Sequence, residues 1–205
     1  MARLAREGHT VHVSILAEGI TSRAPKRDDG DIRQVEQLQQ HGKKAAKTLG
    51  VDQISFHGLP DNRLDTLALL DVVKVVEQLV QSFQPDCVYT HHAGDLNIDH
   101  AVVSRAVMIA TRPMPDCPVK ELYQFEVPSS TEWGFQQFEI FRPNTFMAIS
   151  ETLALKLEAM ACYETEVRSF PHPRSIEALT AIAKRLGSVV GLPAAEPFQL
   201  VRAIS

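Results

Sequence analysis

The spacing of apolar positions along the chain alternates between continuous β-branched runs, which suit strands, and a recurrence at every third or fourth residue, which suits helices. "MARLARE", closed by Gly8, reads as a short helix, and "TVHVSILA" reads as a buried strand running into the turn-like "EGITSR". From Asp31 the apolar residues Ile32, Val35, Leu38, Ala45, Ala46 and Leu49 keep to one helical face, and Gly50 supplies a left-handed stop. "QISFHG" is then a second strand, followed by the polar loop "LPDNRLD". Leu67 to Phe83 forms a strongly apolar helix halted by Pro85, and "CVYTHH" is a third strand.

The last third is less regular. Strands are expected at "LYQFEV" and "FMAIS", and two helices follow, N-capped by Ser150 and Ser175. Leu153, Leu157, Met160, Tyr163 and Val167 form the stripe of the first helix, and Ile176, Leu179, Ile182 and Leu186 that of the second. Between them, the prolines of "RSFPHPRS" hold His172 and Arg174 in an extended loop. Strand and helix thus alternate, which implies an α/β fold with a mostly parallel sheet, helices on both faces and ligands beyond the carboxyl ends of the strands. "EGITSR", "LPDNRLD" and "THHAGDLNIDH" all follow strands, so all are expected on one rim. No repeat or linker composition divides residues 1–205, and one domain is expected.

Composition narrows the partners. A chain of 205 residues with 44% hydrophobic and 22% charged residues is long enough for a sizeable core. Its net charge of -4 gives no reason to expect nucleic acid or an anionic membrane surface, so a small molecule or a protein is the expected partner. Cys87, Cys117 and Cys162 are odd in number and far apart, which fits a reducing cytoplasm rather than a disulfide framework. No apolar stretch approaches the length of a membrane span.

Candidate chemistry gathers in "THHAGDLNIDH", Thr90 to His100. Asp95, Asn97 and Asp99 alternate like the first ligands of a calcium loop, but His100 replaces the required glycine and Ala106 the closing glutamate, so that reading fails. His100 with a preceding aspartate, where a strand meets a helix, suits zinc; equally, Asp99 caps a helix beginning near Ala101 and the histidines are ordinary loop residues. His91 and His92 are adjacent, so at most one of them faces the rim. Arg23 and Arg33 suit substrate hydroxyls or surface pairing with Asp28, Asp29 or Glu36. Asp61, Asn62 and Arg63 suit a turn as well as a contact, and Trp133 suits a pocket wall or loop packing.

Taken together, "GHTVHVSILAEGITSR", "LPDNRLD", "PDCVYTHHAGDLNIDH", "FEVPSSTEWGF", "PNTFMAIS", "ACYETEVRSFPHPRS" and "AAEPFQLVR" resemble, in order, the blocks of the PIG-L or LmbE-like N-deacetylases. The resemblance covers nearly the whole chain. It implies a Rossmann-like three-layer sandwich and zinc-dependent removal of an acetyl group from an N-acetylglucosamine-like substrate. It further implies His100 as a zinc ligand, Asp99 as its orienting partner and Asn97 as an oxyanion donor where many relatives carry histidine. Arg23, Arg33, Asp61, Arg63 and Arg174 are the expected substrate contacts, and a homo-oligomer is expected.

The chain departs from the family at its start. The Ala-His-Pro-Asp-Asp-Glu type of motif that follows the family's first, central strand does not occur in these 205 residues. "MARLAREGHT" resembles the helix after that motif, so His100 is left as the one matched ligand of the three a catalytic zinc takes from protein. A central strand of about five or six residues and its ligand loop are therefore expected upstream of Met1. The competing expectation is a catalytically inactive, truncated sugar-binding or interaction module.

Overall fold

The computed structural model describes residues 1–24, 27 and 30–205; Asp28 and Asp29, expected partners of Arg23 and Arg33, lie outside the described residues. Its helices are α1 (Ala2–Arg6), α2 (Ile32–Leu49), α3 (Leu69–Phe83), α4 (Ile98–Ala110), α5 (Leu153–Ala161) and α6 (Ile176–Val189). The strands are β1 (His12–Ala17), β2 (Gln53–Leu59), β3 (Cys87–His91), β4 (Glu121–Phe125), β5 (Thr145–Ala148) and β6 (Ala195–Ala203). The chain is thus α/β, as expected. It divides into two compact units, Met1–Asp61 with Ala148–Glu196, and Asn62–Met147 with Pro197–Ser205.

In the first unit β1 and β2 pair in parallel, with Val13 opposite Ile54 and Ile15 opposite Phe56. Side chains alternate across the pair. The apolar face receives α2, where a Cβ on Gly42 would lie 3.2 Å from the Phe56 ring. The other face carries Ser14 and Ser55, whose hydroxyls are 3.1 Å apart, with Nε2 of His57 3.1 Å and of His12 3.3 Å from Ser55 Oγ. Asp31 caps α2 by accepting from the Arg33 N–H at 2.9 Å, and Gly50 ends it at φ 72°, the expected left-handed stop. Val35, Ala45 and Ala46 are buried, but Ile32, expected on the same face, is 66% exposed at the first turn.

Two expectations for the last helices need correction. Helix α5 is capped by Thr152 rather than Ser150 and ends at Ala161, so Tyr163 and Val167 lie beyond it. Tyr163 instead meets His41 of α2 edge-on, with ring centroids 6.3 Å apart. Ser175 does cap α6, accepting from the Ala178 N–H at 3.0 Å. Ile149, Ala183 and Ala194 form a buried cluster, with Leu153 packed on it.

The four-stranded sheet has the order β3-β4-β6-β5. Strands β3 and β4 are parallel, whereas β6, which periodicity did not reveal, runs antiparallel to β4. The four-stranded sheet is therefore mixed through β6, while the β1–β2 and β3–β4 pairs are parallel as expected. Among the described residues, β1 pairs with β2 and β3 with β4, which leaves each of β1 and β3 one edge without a strand partner. Helix α3 buries Val72, Val73 and Val76, and α4 buries Ala106 and Val107. The Gln124 amide donates to Ser104 of α4 at 3.0 Å, which ties that helix to the face of β4 opposite Tyr123. On the other face Tyr89 stacks on Tyr123, centroids 5.0 Å apart.

No helix among the described residues is long and apolar enough to cross a membrane. A packing prediction follows from α6. A Cβ on Gly187 would stand 2.5 Å from the Leu192 carbonyl oxygen and 2.8 Å from the Ala194 backbone, neither of which can rotate away. Gly187→Ala is expected to destabilise the protein by about 2 kcal/mol or more, read as a lowered urea midpoint with unchanged slope.

Candidate active site

Strand β3 ends at His91, and the next residues turn into α4. His91 and His92 point to opposite sides, as alternation requires. The wholly buried His92 ring is structural: its Nε2 donates to the Glu139 carbonyl at 2.7 Å, and its Nδ1 lies 3.4 Å from the Gln124 amide. A carbonyl oxygen only accepts, so Nε2 carries the proton of this ring. His91 turns instead toward His100, ring centroids 4.1 Å apart and planes within 9°. Burial, followed by the neighbouring His100 and opposed by Asp95, lowers the His91 pKa to about 3. Its ring is therefore neutral, and its buried Nδ1 has no hydrogen-bond partner among the described residues.

Asp95 organises this corner. Its side chain has no exposed surface. Oδ1 accepts from Ser130 Oγ and, at 2.9 Å, from the Asn97 N–H, while Oδ2 accepts from Thr131 Oγ1 at 2.6 Å. Nδ1 of His100 stands 3.0 Å from the same Oδ1, a close polar contact without the alignment of a full hydrogen bond. Burial alone would raise the Asp95 pKa, but contacts from His100, Ser130, Thr131 and the Asn97 N–H together hold it well below the usual carboxylate range. Asp95 is thus an anion that fixes one imidazole edge.

Asn97, rather than Asp99, is the cap of α4: its Oδ1 accepts from the Asp99 N–H at 2.9 Å. The buried Asp99 carboxylate accepts from the Asn62 N–H at 2.6 Å and the Leu64 N–H at 2.9 Å, which clamps the loop after β2 to the head of α4. Asp99, expected to orient His100, therefore holds a loop, and Asp95 stands at the His100 nitrogen. Half-buried Arg63 lies in that clamped loop, at the start of the turn Leu64–Thr66.

The remaining expected contacts lie in the other unit. Arg23 and Arg174 converge on one carboxylate, Glu166, with Arg174 Nη1 2.7 Å from Oε2 and Arg23 Nη2 on Oε1. Asp61 accepts from the Ser22 N–H at 3.1 Å. Arg33 is 89% exposed, with Asp31, not Glu36, at 4.0 Å. Sequence reasoning missed Glu166 and the His100-holding place of Asp95. The alternating Asp95-Asn97-Asp99 spacing was the one signal for the latter.

A model of the family described as PIG-L, GlcNAc-PI de-N-acetylase, matches residues 1–111, more than half of the 205-residue chain. The chain belongs to the PIG-L family. Among relatives of this PIG-L chain, the uncharacterized deacetylase YaiS of Escherichia coli K12 is 27% identical over 166 residues, 78% of each chain. N,N'-diacetylchitobiose deacetylase from Pyrococcus horikoshii superposes with TM-score 0.75 at 16% identity, over 98% of this chain and 76% of its own. GalB, the 4-carboxy-2-hydroxymuconate hydratase of Pseudomonas putida KT2440, superposes with TM-score 0.74 at 21% identity, over 100% and 89%. Both solved structures share the fold of this chain and one of them is a hydratase, so the reaction has to be argued from the site.

Among the described residues no group of three or more His, Cys, Asp or Glu side chains is set to hold a metal ion. The imidazoles of His91 and His100 are the nitrogen donors this corner provides. For Asp95→Asn, which places an NH2 where two donors already point, a loss of about 2–3 kcal/mol is expected. Urea unfolding checks it, together with faster proteolytic cleavage within residues 127–140.

Proposed function

We propose that the protein is an N-deacetylase that hydrolyses the acetamide of an N-acetylglucosamine-like sugar or sugar conjugate and releases acetate. The observation that carries this reading is the head of α4, where Asp95 fixes His100 and Asn97 stands one turn before it, in a chain of the de-N-acetylase family. Water adds to the acetamide carbonyl, the C–N bond breaks, and the amine leaves with a proton. Asn97 suits the oxyanion formed on the way. Its Oδ1 is spent on the Asp99 N–H, so its Nδ2 hydrogens are what it can offer, and it has no proton to give up.

Zinc is the cofactor that the resemblance implies, with His100 as a ligand. The described residues bring two imidazoles and no third ligand to this corner, which is fewer than a catalytic zinc takes from protein. Arg23 and Arg174, held by Glu166, are proposed for sugar hydroxyls, with Asp61, Arg63 and Arg33 as further polar contacts. Asp99 acts in this reading by holding the 62–64 loop. A cytoplasmic, self-associating protein acting on a small molecule is part of the same proposal. A second reading is a sugar-binding module without turnover, since among the described residues this corner gathers the two imidazoles of His91 and His100 and no group of three metal-ligating side chains.

Acetate release from N-acetylglucosamine conjugates, measured beside zinc content on protein isolated from its source, separates the two. Turnover with bound zinc is expected; sugar binding with neither would leave the second reading standing. Asn97→Ala is expected to lower kcat roughly 100-fold with zinc retained, and His100→Ala to abolish both. Stoichiometric zinc in the His100 variant would overturn its assignment as a ligand.

A further inference from the structure

The face of the β1–β2 pair away from α2 gathers a second set of nitrogen donors, in the first unit, whereas His100 lies in the other. Ser14 stands opposite Ser55 in the register, and their hydroxyls are 3.1 Å apart. His57 follows Ser55 by two residues on one strand, and His12 lies one diagonal step away, opposite Gln53. Both rings turn Nε2 to the Ser55 hydroxyl, at 3.1 Å for His57 and 3.3 Å for His12. Directly after His57 the register slips, from Ile15 opposite Phe56 to Ala17 opposite Leu59, and Gly58 takes φ 63°. Such irregularities re-aim a neighbouring side chain.

Partial burial lowers the pKa of both imidazoles, and His57 lowers that of His12 further. Both rings are therefore neutral at neutral pH, the form that binds a metal ion. Atoms bound to one zinc ion at about 2.0–2.1 Å lie roughly 2.8–3.4 Å from one another, between a right angle and a tetrahedral one. All three separations around the Ser55 hydroxyl fall in that range, so side chains that share hydrogen bonds without an ion need little movement to share one. Two imidazoles with neutral hydroxyls select a late first-row ion, because calcium and magnesium require carboxylate and carbonyl oxygen. We propose that His12 and His57, with the hydroxyls of Ser14 and Ser55, form a binding site for a divalent late transition-metal ion of the Zn2+, Ni2+ or Cu2+ class. This site stands whether or not the protein is a deacetylase.

Zn2+ is titrated into the full protein, followed by calorimetry and by NMR of the imidazole nitrogens. The Nε2 signals of His12 and His57 are expected to move together and saturate at one ion, while those of exposed His9 stay still. His12→Gln or His57→Gln is expected to weaken that step about 10-fold or more, with the His100 signals unaffected. Ser55→Cys, which sets a thiolate beside both imidazoles, is expected to tighten it roughly 10-fold or more. Signals of His12 and His57 that do not move up to millimolar Zn2+ overturn the site, and that result needs no variant to fold. Movement of only one of the two rings overturns it too, as does movement of His9 in parallel with both, which marks an adventitious ion only. An affinity left unchanged by Ser55→Cys, or by either glutamine variant, has the same consequence.

Discussion

The buried Asp95 carboxylate sets the geometry of everything around it in its unit. An ionised carboxylate taken out of water without partners costs several kcal/mol. Here Ser130, Thr131, the Asn97 N–H and the His100 ring converge on its two oxygens, and charge-assisted bonds contribute about 1.5–3 kcal/mol each, enough to offset the burial. The same contacts join three pieces of chain: the turn after β3, the head of α4 and the 127–131 loop. Loss of the carboxylate would leave three donors unmatched at once. The His100 imidazole, a helix cap and the 127–131 loop therefore share one anchor.

Asp99 works in parallel. Its two backbone acceptor bonds bring the loop after β2 to the head of α4, so that helix start is held by carboxylates on both sides. In the other unit, Glu166 gathers Arg23 and Arg174 in the same way. The recurring device is an acidic side chain that decides where a neighbouring nitrogen points. The likeness to GalB, a hydratase, shows that the backbone alone does not choose the reaction.

Local rules did well where a helix end or strand is decided by its own few residues. Gly50 stops α2 because a left-handed residue there costs glycine little, and Ser175 caps α6 because its hydroxyl reaches the N–H three residues on. They did less well where neighbours compete. Ser150 lost its expected cap because α5 starts after Thr152, and β6 was invisible by periodicity because its place between β4 and β5 is set by partners elsewhere in the chain. Ile32 has the right spacing for a buried stripe yet lies at the exposed first turn.

For the site, the sequence by itself determined the residue types and their order: a strand, a His-rich turn, a helix head, and the family blocks that contain them. Chain spacing also required His91 and His92 to diverge, because alternation along a strand is a covalent property. Only the tertiary structure decided which carboxylate meets His100, since Asp95 and Asp99 are near it in sequence and equal in chemistry. That choice depends on donors from far along the chain: Ser130 and Thr131 claim Asp95, and the Asn62 and Leu64 N–H groups claim Asp99. Hydrogen-bond satisfaction of a buried charge is settled by everything packed around it, and no local pattern carries that information.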